Sequence, residues 1–98
     1  MLLTAILWAN PGQEELLVEY EDAVLALIPA HGGRVIERVR AEQPGDGPYE
    51  VQLIELPSDE ALADYMVDPV RVALAETHKR AIARRWVSTS STRVGSTM

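Results

Sequence analysis

The sequence predicts an α+β domain in which two helices cover one face of a four-stranded antiparallel sheet. The chain has 98 residues, the size of a single domain, so residues 1–98 are assigned to one domain. Its hydrophobic pattern follows the order strand, helix, strand, strand, helix, strand. A helical pattern also passes directly into a strand at Gly32-Gly33, where glycine can close a helix in the left-handed conformation. This order of elements predicts the ferredoxin-like βαββαβ fold, with both helices on one face.

The first strand is predicted over residues 2–9, an apolar run that ends at the turn residues Asn10-Pro11-Gly12. A run of this kind is typical of a central strand that is buried on both faces. A helix is then expected to begin at Asn10, because its side chain can cap the first turn and Pro11 is tolerated there.

The face of this first helix that contacts the sheet is predicted from helical spacing. Its inward residues are Leu16, Tyr20, Val24 and Leu27. The acidic residues that are expected mostly to face away are Glu14, Glu15, Glu21 and Asp22. Pro29 removes a backbone hydrogen bond, so we expect the last turn to tighten or bend before His31.

The middle of the chain predicts two antiparallel strands joined by a loop. Residues 34–41 carry alternating charged side chains, which are typical of an edge strand. Residues 42–48 contain two prolines and two glycines, so they are predicted to form a mobile loop. Residues 49–56 return as a central strand, which Pro57 ends.

The last third predicts a divided helix and a polar strand. Ser58 can cap the second helix, and Asp68-Pro69 repeats the signal for a helix start, so the helix is expected to break there and resume to Ala81. The Ser/Thr/Val-rich residues 84–94 predict a polar edge strand, followed by a frayed tail at about 95–98.

Composition excludes several classes of function. The chain has no cysteine, which excludes disulfides and thiolate chemistry and favours a cytoplasmic location. A net charge of -6 disfavours nucleic-acid and membrane partners. No cofactor fingerprint occurs, and two histidines far apart in sequence match no known metal or heme spacing, so we expect no cofactor and no metal. The apolar N-terminus lacks a basic segment and is too short to span a bilayer.

A homodimer is predicted from the two central strands. Both have apolar side chains at odd-numbered and at even-numbered positions, which point to opposite faces of the sheet. Helices on one face would therefore leave the other face apolar and exposed to water. A second sheet is the natural cover for such a face, which predicts two sheets packed face to face.

Several short motifs together resemble small bacterial proteins of the dimeric α+β barrel superfamily. The resemblance is greatest to its uncharacterised domain families, neighbours of the antibiotic-biosynthesis monooxygenases. The motifs are Trp8, Asn10-Pro11-Gly12, Tyr20-Glu21, His31-Gly32-Gly33-Arg34, Leu56-Pro57-Ser58, Ala61, Tyr65 and Asp68-Pro69.

The resemblance implies a homodimeric barrel with a cleft between sheet and helices in each subunit. Activities known in the superfamily include cofactor-independent oxygenation, isomerisation and heme degradation. The heme-degrading branch uses an Asn in the first strand and a Trp and a His in the second helix. Here that strand has no Asn before residue 10 and that helix has no Trp, which argues against heme chemistry.

Four residues are candidates for catalysis: His78, Tyr20, His31 and Glu55. Each has a structural alternative. His31 can interact with a helix C-terminus, His78 can be a boundary residue, and Tyr20 can be an amphipathic core residue. Glu55 is expected to be the one partly buried acid, and a salt bridge with Arg34 is preferred to a role as a base.

The sequence therefore predicts a protein that binds a small, largely apolar molecule in a cleft at the Asp68-Pro69 break, without an evident catalytic set. A phosphate or a large dianion is expected to find too little positive charge there. The cationic residues Lys79, Arg80, Arg84 and Arg85 are assigned to a solvated face. The alternative is a cofactor-independent monooxygenase or isomerase acting on a small aromatic or lactone-like substrate. The predicted ligand-binding residues are Tyr20, Val24, Tyr65, Leu74 and His78.

Overall fold

The computed structural model describes residues 1–90; the end of the predicted last strand and the predicted frayed tail at 95–98 lie outside them. The strands are β1 (Leu2–Ala9), β2 (Arg34–Arg40), β3 (Glu50–Glu55) and β4 (Ile82–Ser90). The helices are α1 (Glu14–Leu25), α2 (Asp59–Met66), α3 (Pro69–Ala73) and α4 (Ala75–Ala81). The predicted break of the second helix is confirmed, although it yields three pieces rather than two.

The strands form one sheet in the order β2-β3-β1-β4, and every neighbouring pair is antiparallel. The predicted ferredoxin-like α+β fold is confirmed, with β1 and β3 central and β2 and β4 at the edges. Residues 41–49, which include the loop predicted at 42–48, contain neither helix nor strand. Within residues 1–90, no helix has both the length and the hydropathy needed to cross a bilayer.

The start of α1 differs from the prediction. Asn10 does not cap this helix; its Nδ2 donates to the carbonyl oxygens of Lys79 (3.3 Å) and Arg80 (2.9 Å). Its backbone N–H also donates to the carbonyl of Ala81 at 2.9 Å. Asn10 therefore links the end of β1 to the end of α4 through hydrogen bonds. A turn in which Gly12 has φ 77° then precedes α1, which begins at Glu14.

The helix-to-strand return at Gly32-Gly33 is confirmed. A 3-10 turn over Ile28–His31 contains Pro29, and Gly32 adopts the left-handed conformation at φ 81°. The backbone of Gly33 passes so close to β3 that a Cβ there would overlap the carbonyl oxygen of Glu55 and the side chain of Leu56. Two consecutive glycines are needed because one supplies the turn and the other the close approach.

The core lies between the helices and one face of the sheet. Leu3, Ala5 and Leu7 of β1 point towards the helices and are buried. Leu3 belongs to a cluster that includes Tyr65 of α2, and Leu7 belongs to a second cluster formed with α1 and the end of α4. Without phenylalanine, the large members of both clusters are aliphatic, together with Tyr20 and Tyr65.

The opposite face of the sheet carries no helix and is largely apolar. Val39, Val51 and Trp86 on this face are 55%, 38% and 45% exposed. Trp8 lies on the same face, with the guanidinium of Arg84 4.6 Å from its ring centroid. We refer to this surface as the outer sheet face, and in a single chain it is open to solvent. The alternation in β1 thus places apolar side chains on both faces, as the sequence predicts, whereas β3 directs Glu50 and Gln52 as well as Ile54 to the helix side.

Candidate functional site

A groove opens where α2 ends and α3 begins. Asp68 caps α3 by accepting a hydrogen bond from the backbone N–H of Val70 at 2.9 Å, so the chain changes direction at the predicted break. The groove lies between these helices and β4 and has a volume of about 520 Å3. A second depression of about 280 Å3 adjoins it and shares three of its residues. We call the two together the groove. Its lining residues are Tyr20, Leu62, Met66, Arg71, Val72, Ala75, His78, Arg85 and Val87.

Two of the predicted site residues meet in this groove. The rings of Tyr20 and His78 are in edge contact, with centroids 5.3 Å apart. Within residues 1–90, the Nε2 atom of His78 is buried and has no hydrogen-bond partner. Burial and the nearby charges of Arg85 and Arg71 lower the pKa of His78, so its imidazole is neutral at pH 7. A neutral imidazole can either donate or accept a hydrogen bond, depending on its tautomer.

Tyr65, another predicted ligand-binding residue, is buried and does not line the groove; it borders a smaller cavity together with Arg71 and Arg85. Its hydroxyl oxygen accepts a hydrogen bond from Nη1 of Arg71 at 3.3 Å, and the guanidinium of Arg71 lies 4.9 Å from the centroid of the Tyr65 ring. Burial raises the pKa of Tyr65 to about 12, with Arg71 opposing the shift. The phenol is therefore protonated at neutral pH and holds Arg71 in place.

Two other predicted ligand-binding residues are core side chains. Val24 is fully buried in the cluster formed by α1 and α4, and Leu74 packs against that cluster. Tyr20 belongs to the same cluster. The sequence predicted that all inward-facing helix residues line the cleft. In the structure Tyr20 and His78 line the groove, whereas Val24 and Leu74 pack in the core.

The remaining catalytic candidates have other partners. His31 Nε2 lies 2.8 Å from Asp68 Oδ2, and its ring is in edge contact with that of Tyr65 at 5.8 Å. Glu55 accepts a hydrogen bond from Nε of Arg34 at 2.9 Å, so the preferred salt bridge is confirmed. His31 and Glu55 therefore have different partners and do not contact each other.

The expectation that Glu55 is the one partly buried acid is wrong. Glu21 and Glu50 are both buried beneath the helices, and Gln52 donates from Nε2 to both of them, at 2.8 Å and 2.6 Å. The assignment of Glu21 to the outer side of α1 is also wrong. Glu21 is four residues from both Leu17 and Leu25, which places it in the middle of the buried stripe.

Glu50 is the centre of a charged network at the β2 side of the sheet. Arg38 donates to both of its carboxylate oxygens, and Arg40 donates to Oε1 at 2.8 Å. Asp22 accepts a further bond from Arg38 at 2.7 Å. Burial raises the pKa of Glu50, but the hydrogen bonds from Arg38, Arg40 and Gln52 outweigh it, so the net shift is downward. The network contains two carboxylates, Glu50 and Asp22, and two guanidinium groups, so its net charge is zero when all four are ionised.

Arg85 does not belong to a solvated face, as the sequence suggested for the cationic run. It pairs with Leu7 in the sheet, so its side chain points to the helix side and reaches Met66, with Nη2 3.7 Å from Sδ. Burial and the positive charge of Arg71 lower the pKa of Arg85. The direction of the Arg85 side chain follows from the register of β4 with β1, which the sequence alone does not give.

Arg71 and Arg85 also border a small cavity under the groove, of about 20 Å3, together with Glu21 and Gln52. Such a space holds about one water molecule. Burial raises the pKa of Glu21, although the hydrogen bond from Gln52 and both arginines oppose this. Within residues 1–90, no three side chains of the types that bind metals come together.

No protein-family model matches the chain, and no curated protein matches it. Several solved structures match it over most of its length. A dimeric protein of unknown function with a ferredoxin-like fold from Bacteroides fragilis is 19% identical, with a TM-score of 0.66 over 89% of this chain and 90% of that chain. A dabb family protein with a ferredoxin-like fold from Mesorhizobium loti is 14% identical, with a TM-score of 0.65 over 94% and 95%.

An uncharacterised NIPSNAP domain protein from Burkholderia xenovorans is 16% identical, with a TM-score of 0.70 over 96% of each chain. Identities this low establish the fold and leave the activity open. The chain has the ferredoxin-like α+β fold of these structures, which is the fold that the resemblance to the dimeric α+β barrel superfamily implies.

Proposed function

We propose that the protein is a homodimer in which each subunit binds a small, largely apolar molecule in the groove. The observation on which binding rests is the buried Nε2 of His78, which has no partner within residues 1–90 and borders an open groove. A buried polar atom without a hydrogen bond costs about 1–3 kcal/mol. A ligand with one polar atom would remove that cost.

The walls of the groove support a mostly apolar ligand. Leu62, Met66 and Val87 form its outer part, and the rings of Tyr20 and His78 form its inner part. Sites for small molecules combine apolar walls with a few fixed polar groups, and volumes of about 300–1,000 Å3 are usual. The groove, with parts of about 280 and 520 Å3, is of this size.

A filled-groove variant tests binding directly. Val87→Trp places an indole in the groove, whereas Val70→Trp is a matched control, because Val70 is also exposed but is not a lining residue. The neutral fluorescent probe N-phenyl-1-naphthylamine is titrated into each protein. We expect Val87→Trp to weaken binding at least about tenfold and Val70→Trp to leave it unchanged. Equal binding by both variants, or no binding by the parent protein, contradicts the proposal.

The outer sheet face supports the homodimer. Three of its apolar side chains, Val39, Val51 and Trp86, remain 38–55% exposed in one chain, across three of the four strands. A contiguous apolar face of this kind marks an interaction surface. A twofold dimer covers it with an identical face, as the similar protein from Bacteroides fragilis, described as dimeric, would suggest.

Val51→Glu tests the dimer. Val51 is at the centre of the outer sheet face, and Val70→Glu on α3 is the control, since Val70 is 50% exposed away from the sheet. Light scattering is expected to give twice the mass of one chain for the parent and the control. For Val51→Glu we expect the mass of one chain, because a charge would be buried without a partner. A parent protein with the mass of one chain at micromolar concentration contradicts the proposal.

A cofactor-independent monooxygenase or isomerase acting on a small aromatic or lactone-like substrate is the second candidate. The contact of Tyr20 with a neutral His78 favours it, because such an imidazole can accept a proton from a bound substrate. Turnover of aromatic ketones or lactones that His78→Ala abolishes, while that variant remains a dimer and still binds the fluorescent probe, would favour this candidate over simple binding.

A further inference from the structure

Two guanidinium groups enter the groove from opposite walls. Arg71 of α3 is only 9% exposed and is held by the hydroxyl and ring of Tyr65. Arg85 of β4 reaches under α2 to the sulfur of Met66. Both side chains border the groove and the small cavity beneath it. The two positive charges therefore lie at the same place, between the open groove and the small cavity beneath it.

Neither arginine has a salt bridge to a carboxylate within residues 1–90, in contrast to Arg34, Arg38 and Arg40. The acid closest to them in the cavity lining is Glu21, whose Oε1 is occupied by the hydrogen bond from Gln52. Two cations beside one carboxylate leave a single surplus positive charge. The chain as a whole has a net charge of -6, so the sign of this site is opposite to that of the protein.

A partly desolvated positive charge without a counterion is unfavourable, and a bound anion would compensate it. We propose that the ligand of the groove is an apolar monocarboxylate, with its carboxylate held by Arg71 and Arg85 and its apolar part along Leu62, Met66 and Val87. This inference rests on the proposed ligand-binding function and specifies its ligand class. The planar, forked guanidinium suits a carboxylate, which it can bind through two parallel hydrogen bonds.

The same arrangement disfavours other ligands. A phosphate monoester brings up to two negative charges, and Glu21 in the cavity would repel the second one. A neutral ligand would leave the single surplus positive charge of the two arginines uncompensated. The uncharged imidazole of His78 adds no further cation, and its Nε2 is free to hydrogen-bond a second polar atom of the ligand.

A pair of isosteric probes tests the inference. 4-Phenylbutanoate and its neutral amide, 4-phenylbutanamide, are titrated by calorimetry into the parent, Arg85→Gln and Arg80→Gln. Arg80 is the matched control, because it is exposed on α4 and is not a lining residue. The parent and Arg80→Gln are expected to bind the carboxylate at least about tenfold more tightly than the amide. In Arg85→Gln this preference should fall by about tenfold, with the affinity for the amide unchanged.

The two proposals fail in different ways. Equal affinity of the parent for the carboxylate and the amide overturns the monocarboxylate inference and leaves groove binding intact. The same holds if Arg85→Gln retains the full preference. A parent protein that binds neither 4-phenylbutanoate, 4-phenylbutanamide nor the neutral naphthylamine probe overturns the ligand-binding function itself, and the inference with it.

Discussion

The imidazole of His78 lies edge-on against the phenol ring of Tyr20, with the ring planes at 71°. This contact joins α4 to α1 at the inner end of the groove. Nε2 of His78 is buried beside this contact and has no hydrogen-bond partner within residues 1–90, which is unusual for a polar atom in a folded protein.

His78→Phe separates packing from polarity. A phenyl ring keeps the edge contact with Tyr20 and removes the unpartnered nitrogen, so we expect the free energy of unfolding to rise by about 1 kcal/mol. Urea denaturation measures this change. A loss of stability of similar size would mean that the imidazole has hydrogen bonds that the structure does not show.

Glu21→Gln tests the buried acid through its pH dependence. Glu21 faces Gln52, Glu50, Arg71 and Arg85, and burial raises its pKa above the ordinary value of 4.5. Since a raised pKa means that the folded state holds the proton more tightly, stability falls as the pH rises from about 4.5 through the folded value.

Glutamine removes that loss, so the variant should be more stable than the parent at pH 8 and similar to it at pH 4. Urea midpoints at the two pH values measure the difference. A variant that is less stable than the parent at pH 8 would show that ionised Glu21 is stabilised by Arg71 and Arg85 more than burial destabilises it.

Glu50→Gln is expected to destabilise the protein by about 3 kcal/mol, because it removes the buried partner of Arg38 and Arg40. The control is Glu19→Gln on the exposed side of α1, with an expected change within about 0.5 kcal/mol. The lowered pKa of Glu50 means that its contribution is present above pH 4.5 and is lost as the pH falls through the folded value. Equal denaturation midpoints for the two variants would exclude this role.

The ion pair of His31 with Asp68 predicts a measurable titration. The hydrogen bond from His31, together with that from the backbone N–H of Val70, lowers the pKa of Asp68 below 3.8. Asp68 therefore stabilises the fold above its ordinary pKa, and this contribution is lost as the pH falls through the lowered value. NMR of the Asp68 carboxyl carbon should show a midpoint that moves upward in His31→Gln. An unchanged midpoint would mean that the pair does not form in solution.

Much of the fold follows from local patterns in the sequence. The double glycine at 32–33, the break at Asp68-Pro69 and the apolar central strands are each determined by residues close together in the chain. Asn10 misled the interpretation because its partners, Lys79 and Arg80, are about 70 positions away. A capping rule uses only neighbouring residues, so it cannot predict that the Asn10 side chain hydrogen-bonds a distant part of the chain and does not cap the helix.

The charged part of the site was harder to predict for the same reason. The burial of Glu21 could have been predicted, because it lies four residues from both Leu17 and Leu25 on the buried side of α1. The inward direction of the Arg85 side chain could not have been predicted from spacing, because it depends on the register of β4 with β1. Tyr20 and His78 were predicted from their helical spacing, and they do meet in the groove.

The central claim, that the groove binds a small molecule, is tested most directly by an NMR titration of the parent protein with 4-phenylbutanoate. His78 reports on the groove, whereas the indoles of Trp8 and Trp86 report on the outer sheet face. We expect the His78 ring signals and the backbone amides of Met66 and Arg85 to shift in a saturable manner, with both indole N–H signals unmoved. Shifts confined to the indoles, or no saturable shift at His78 with 4-phenylbutanoate, 4-phenylbutanamide or the neutral naphthylamine probe, would contradict the account.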